Sequence, residues 1–255
     1  MSRVASAAWL FLGILCATSV RAEEDTVASR LIPFDSLTAT NRALAHEVTD
    51  HFTLHCDYTA EVFKARIPVF EYLFDHMDSC SALAQKVGLI TYRTTRDAEG
   101  RLYADDHDGA AGYMVNVYQA DGKRVIYVAG TQHGLFDASG RGLAVVDYHA
   151  KAGAQSLGLP DEIEYTRAAF VKVDNVILAT MAQMFSVFLR GTVDKHFAKV
   201  IRNPVQLSEK AQADPQKLLD EIGQMPAADQ QLMAQFAALV RSNASVRLVE
   251  SNRPL

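Results

Sequence analysis

His51 and His55 have the His-x-x-x-His spacing that places two imidazoles on one face of a helix, with Cys56, Asp57 and His46 close by. That spacing is the start of a zinc site, but a hydrolytic zinc helix would carry a Glu directly after the first His, and a closed site needs a third and a fourth ligand. Neither pattern is present here, so His51 and His55 stand as metal candidates against a plainer reading as sheet-face histidines, and no metal is expected. Asp105-Asp106-His107-Asp108-Gly109 is the densest acidic cluster. It lacks the distal Glu of a calcium loop, and Asp108-Gly109 is a hairpin-turn signal without any ligand. No serine sits in a Gly-x-Ser-x-Gly elbow, and no phosphate-binding glycine loop or dinucleotide fingerprint occurs, so no cofactor is expected. Ser139-Gly140-Arg141-Gly142 reads as a turn between strands. Asp147 and His149 fall on one parity of a strand and could form an acid–base pair with Tyr127, or with Tyr113, if that face lines a cavity. These are the catalytic candidates.

The chain has three cysteines, Cys16, Cys56 and Cys80. Cys16 lies in a leader: Arg3 gives a positive start, Ala7 to Ala17 an apolar run, and Val20-Arg21-Ala22 a peptidase site, so cleavage near Ala22 is expected. The apolar run is shorter than the roughly 20 residues a membrane span needs, and Leu15 before Cys16 is too bulky for a lipidation site. A periplasmic or secreted location follows, and the remaining even pair, Cys56 and Cys80, is expected to form a disulfide there. Two buried thiols are the alternative.

Composition bounds the rest. With 255 residues, 49% hydrophobic and 22% charged, the chain has material for a real core. Lys+Arg 25 against Asp+Glu 30 leaves no surplus of positive charge for nucleic-acid phosphates. No nucleic-acid partner is expected, and no transmembrane span once the leader is removed.

Periodicity supplies the elements. A short helix is expected within Ser36 to Glu47, a strand over His51 to Tyr58 where apolar residues alternate, and a helix pair over Thr59 to Val87, broken near Pro68 and ended by Gly88. Short runs then follow at 89–96, 101–106, 111–119, 123–131, 141–150 and 162–173, the first four separated by Asp97-Ala98-Glu99-Gly100, Asp108-Gly109 and Asp121-Gly122. This predicts an antiparallel meander. After Asp174, an apolar helix runs to about Arg202, two further helices open at Asp214-Pro215 and Met225-Pro226, and Ser242 to Leu255 reads as a loose tail.

The order strand, helix pair, six-strand meander, long helix, carried by His51 to Tyr58, Glu61 to Val87, the three hairpin turns and Asp174 to Arg202, resembles the helix-grip fold of the START and polyketide-cyclase-like (SRPBCC) superfamily. The expected class is therefore α+β, with a curved antiparallel sheet of about seven strands gripping a long C-terminal helix. The domain organisation is a leader at 1–22, an N-terminal segment at 23–47, the helix-grip domain at 48–203 and a helical extension at 204–255. The resemblance implies a cavity between sheet and helix that takes lipids, sterols or other apolar molecules. Met181, Met184, Phe185 and Phe188 would line it, with Tyr113 from the sheet, because Met adapts to irregular volumes. The same stripe would equally serve as core packing.

Three functions follow as expectations. The first is an exported carrier or sensor of an apolar, lipid-like molecule. The second is a cyclase- or hydrolase-like enzyme using the same cavity, and the third an envelope interaction module whose C-terminal helices dock on a protein partner.

Overall fold

The structure is a computed structural model that describes residues 27–251 apart from 92, 108, 121, 134–136, 152–161 and 176–185. The expected leader at 1–22, Met181, Met184 and Phe185 lie outside the described residues, as does the side chain of Phe188.

A helical turn at 27–31 and a 3-10 turn at Phe34–Ser36 lead into α1, Ala39–Thr49. Thr38 caps α1, its hydroxyl accepting from the Asn41 amide at 3.2 Å. Strand β1 is Leu54–Lys64, so His51 lies in the turn before it and residues 59–64 are strand where a helix was expected. Glu61 to Lys64 pair with β7 beyond a register shift at Tyr58/Glu61, with Phe63 buried and its neighbours Val62 and Lys64 exposed. The helix pair follows as α2, Ile67–Asp75, and α3, Met77–Lys86. Pro68 sits in the first turn of α2, where its missing N–H costs nothing, and the break between the helices falls at His76. Gly88, at φ +73°, ends α3 with Leu89 donating to the Ala84 carbonyl at 2.8 Å.

The meander is β2 (Thr95–Arg96), β3 (Leu102–Asp105), β4 (Ala110–Ala120), β5 (Lys123–Gln132), β6 (Ala138–Ala150) and β7 (Glu162–Val173). Ser139 to Gly142 belong to β6 rather than to a turn, since Gly142 faces Val171 and Gly140 faces Val173 in register. Every pairing is antiparallel, and the seven strands lie in the order β1-β7-β6-β5-β4-β3-β2. The first strand thus closes beside the last. Gly122 in the β4–β5 turn has φ +71°, and a Cβ there would meet the Tyr148 carbonyl oxygen at 2.3 Å. Only glycine fits both demands.

After β7 the long helix α4 is described from Ser186 to Ala213, eleven residues beyond its expected end. Then come α5 (Pro215–Gly223), α6 (Ala227–Leu232) and α7 (Ala234–Ser251), so the expected loose tail is helical as far as Ser251. Asp214 caps α5, accepting from the Lys217 amide at 3.0 Å.

Strand alternation divides the buried residues between two faces. On the outer face, Val125, Tyr127, Leu143, Val145 and Phe170 pack beneath Ile32, Leu37, Ala45 and Val48 of the N-terminal segment. The inner face turns Ile126, Val146, Tyr148, Ile163 and Tyr165 toward Phe70 and Phe74 of α2 and Phe197 and Ile201 of α4. A third cluster lies among helices alone, joining Leu73 and Leu83 to Leu207 of α4 and Ile222, Met233 and Phe236 of the C-terminal helices. The fold is α+β, a seven-stranded antiparallel sheet with a long helix on its inner face. Among the described residues no helix is long and apolar enough to cross a membrane.

Candidate functional site

The inner face carries a polar belt inside an apolar frame. Arg124 of β5 and Arg167 of β7 are both in register with Val146 of β6, one on either side of it. Strand parity turns all three inward, since Ile126, Tyr165 and Ala169 share that face. One residue row further along, Tyr148 and Tyr165 are cross-strand partners.

Each arginine is met by acids from a neighbouring element. Arg124 gives a two-pronged hydrogen bond to Asp75 of α2, Nε to Oδ1 at 2.7 Å and Nη2 to Oδ2 at 3.0 Å, with Glu71 at 3.7 Å. Its side chain is 5% exposed, so this geometry compensates a buried charge. Arg167 pairs with Glu61 of β1 and, at 3.5 Å, with Asp194 of α4. Its guanidinium lies 4.9 Å from the Tyr58 ring centroid and 6.0 Å from that of Phe197. The tyrosines complete the pattern, Tyr148 donating to Glu71 and Tyr165 to Glu61, each at 2.8 Å.

Burial, reinforced by the Glu71 and Glu61 carboxylates, holds the Tyr148 and Tyr165 hydroxyls far above the ordinary tyrosine range. Burial and the Cys56 thiol do the same to Tyr58. At neutral pH these groups are hydrogen-bond donors and cannot act as bases. The belt ties α2 and α4 to the sheet and β1 to its neighbour β7, yet three of its buried atoms have unmet hydrogen-bonding capacity. The Arg167 Nε–H and Asp194 Oδ1 make no hydrogen bond, and the Tyr58 hydroxyl has the Cys56 thiol, a weak partner, beside it, with Asp194 and Arg167 close by.

Near the other end of the inner face, a cavity of about 30 Å³ lies between α3, α4 and the β3–β4 pair, lined by Met77, Cys80, Ala104, Met114, Val200 and Pro204 among others. It has room for a water molecule.

The sequence-predicted residues are placed as follows. Asp147, His149 and Tyr127 share a face, as their parity requires, but it is the outer face beneath the N-terminal segment. Tyr127 donates to Glu47 of α1 at 2.8 Å, and burial together with that carboxylate pushes its hydroxyl up to about 12. Asp147 pairs with Lys123 at 3.2 Å, and His149 is exposed. In register Tyr127 faces Leu143, four residues along β6 from Asp147, a separation of roughly 13 Å at strand rise. The three are not brought together. Tyr113 also lies on the outer face, 40% exposed with Arg101 over its ring, and does not line the space beneath α4.

His51 is exposed, whereas the His55 ring lies tilted against Phe170, centroids 4.6 Å apart, and stands 3.4 Å from Asp57. Among the described residues no group of three or more His, Cys, Asp or Glu side chains stands close enough to hold a metal ion. The acidic hairpin shapes its own turn: Asp105 accepts from the His107 amide at 2.8 Å and Asp106 from the Ala110 amide at 2.9 Å.

The expected disulfide is corrected. Cys56 and Cys80 are both buried thiols and are not bridged. Cys56 lies on β1 among the strands, opposite Ala169, while Cys80 packs on α3 in the helical cluster, so the two belong to different cores. Burial pushes the Cys80 thiol well above its ordinary value.

The belt escaped sequence reading because its members lie far apart in the chain, as Glu61 and Arg167 do, 106 residues apart. One signal was available: Arg124 shares parity with Ile126, and Arg167 with Tyr165 and Ala169, so each falls on the buried side of an otherwise apolar strand.

The chain matches no protein-family model and no curated protein. Among solved structures it is similar to the di-domain ARO/CYC BexL from the BE-7585A biosynthetic pathway, at 11% identity and a TM-score of 0.37. That match covers 66% of this chain and 54% of the other, so the chain spans about half the length of that protein. A likeness this distant carries no argument about function. The architecture rests on the strand order and the placement of α4.

Proposed function

We propose that this protein is an exported, non-enzymatic binder of an apolar, lipid-like small molecule that bears one polar group, held between the inner face of the sheet and α4. The observation that carries the reading is that the buried Arg167 Nε–H and Asp194 Oδ1 make no hydrogen bond, although Oδ1 stands in an ion pair 3.5 Å from Nη1 of the same arginine. A buried donor or acceptor left without a partner costs about 1–3 kcal/mol, so a ligand hydroxyl that accepts from the Arg167 Nε–H and donates to Asp194 Oδ1 recovers that loss. Because Glu61 and Asp194 already balance the arginine, an uncharged polar group suits the position better than an anion. The apolar remainder requires the packing of Phe197, Ile201, Met114 and Met77 to open, since the cavity beside Met77 and Met114 holds only about 30 Å³, and each Å² then buried contributes about 25 cal/mol before association losses.

The supporting test is a titration with two fluorescent alkyl-chain probes of equal length, one ending in a hydroxyl and the other in a carboxylate. Saturable 1:1 binding that favours the hydroxyl probe is expected, with the preference lost in Arg167→Met. No saturable binding of either probe would reject the reading.

A further inference from the structure

Three sulfur-bearing residues wall the small cavity between α3, α4 and the β3–β4 pair. Met77 and Cys80 stand three apart in the first turns of α3 and so share one face of that helix. Met114 lines the same cavity from the inner face of the sheet, in one apolar cluster with Met77. All three are buried. Cys80 belongs to the helical cluster and the two methionines to the sheet cluster, so the cavity marks the seam between them. Ser81 and Thr94, also in the wall, are engaged with each other, the Thr94 amide donating to the Ser81 hydroxyl at 2.8 Å.

Size and donor chemistry together select an occupant. A cavity of about 30 Å³ admits one water-sized body, which excludes an organic ligand and admits a single ion. Among the described residues no imidazole and no carboxylate lines it, so the usual donors to zinc, calcium and magnesium are missing. Thiolate and thioether sulfur are soft and favour Cu(I). Charge points the same way. One thiolate and two neutral thioethers carry a single negative charge, so a monovalent cation leaves the site neutral, whereas a divalent one would leave an uncompensated positive charge in an apolar core.

We propose that Met77, Cys80 and Met114 form a three-coordinate, all-sulfur site for Cu(I). On binding, the Cys80 S–H bond breaks, its proton leaves to solvent, and the thiolate sulfur bonds the copper while each methionine sulfur donates a lone pair. Copper arrives and stays as Cu(I), so no electron is transferred. Burial keeps the Cys80 thiol protonated without metal, and a coordinated cation displaces that proton outright. The site requires no ligand between the sheet and α4 and stands or falls apart from the ligand-binding reading above.

Anaerobic titration of the purified protein against Cu(I) held by the chromogenic chelator bicinchoninate tests the site. One equivalent of copper per chain should leave the chelator, and an excess of Zn²⁺ should not displace it. Cys80→Ser should abolish the transfer. Met77→Leu and Met114→Leu conserve volume and keep the fold, and each should weaken the affinity by at least the roughly tenfold that even an outer partner of a metal ligand is worth. Cys56→Ser should change nothing, because that thiol lies on β1. Should Cys80→Ser fail to fold, the two leucine variants carry the test. No transfer from the chelator, transfer undiminished in the Met77→Leu/Met114→Leu double variant, or transfer lost in Cys56→Ser would overturn the site.

Discussion

Tyr148 and Tyr165 are cross-strand partners on the inner face of the sheet, and each donates a hydroxyl hydrogen bond to a glutamate from a different element, Glu71 of α2 and Glu61 of β1. That pair of hydrogen bonds joins the two halves of the polar belt. It also makes the belt sensitive to alkali. A tyrosine whose folded pKa is raised binds its proton more tightly in the folded state, so its contribution is complete below the unfolded value near 10 and is lost as pH rises through the folded value. Tyr58, Tyr127, Tyr148 and Tyr165 are all shifted upward. Unfolding free energy, measured by urea titration at successive pH values, should be flat with respect to these groups up to about pH 9 and fall progressively above pH 10. Tyr148→Phe should flatten that fall. An unchanged slope would show that the tyrosine is not linked to folding.

Removing an acid from the belt should be costly. Asp75→Ala leaves the Arg124 guanidinium buried beside Glu71 alone, and loss of one partner of a buried ion pair costs about 3–5 kcal/mol. The denaturant midpoint should drop accordingly. Asp147→Ala removes only the partly exposed partner of Lys123 and should change stability by less than about 1 kcal/mol.

The cysteines give a direct chemical check. In a protein of residues 23–255, a thiol reagent should find two thiols after denaturation without reductant, and almost none in the native state, because both side chains are buried. One disulfide and no thiols would contradict the structure.

The C-terminal helices belong to the core. Phe236 is fully buried, Tyr72 donates to the Leu232 carbonyl at 3.1 Å, and Arg93 holds Asp229 at 2.5 Å. Phe236→Ala should cost about 3–5 kcal/mol, read from the thermal or urea transition. Truncation before Asp214 should leave an aggregation-prone chain. A stable, cooperative domain ending at Ala213 would instead make these helices an appendage, as an interaction module would require.

The long hairpins were legible because their signals are local. Gly100 and Gly122 adopt positive φ where acidic residues and glycine punctuate alternating strands, and β7 was legible over its whole length from Glu162 to Val173. Strand β1 beyond Tyr58 was not, since Thr59 to Val62 are exposed or nearly so at the sheet edge and follow no alternation of burial. Nor was the limit of α4. Its core-facing residues change partner between Val205 and Leu207 without losing helical spacing, so the pattern did not mark where one core yields to the next. The candidate site was the least legible part, because parity shows that Arg167 faces inward but nothing local says that Glu61 and Asp194 will meet it.

The central claim is that an uncharged amphiphile occupies the space between the sheet and α4. It is tested most directly by native mass spectrometry of residues 23–255 purified from a bacterial periplasm, with organic extraction of any adduct and Arg167→Met as the comparison. A stoichiometric apolar adduct with an uncharged polar group, depleted in the variant, is the expected result. A clean apo mass that stays clean after incubation with an extract of membrane lipids would contradict the claim.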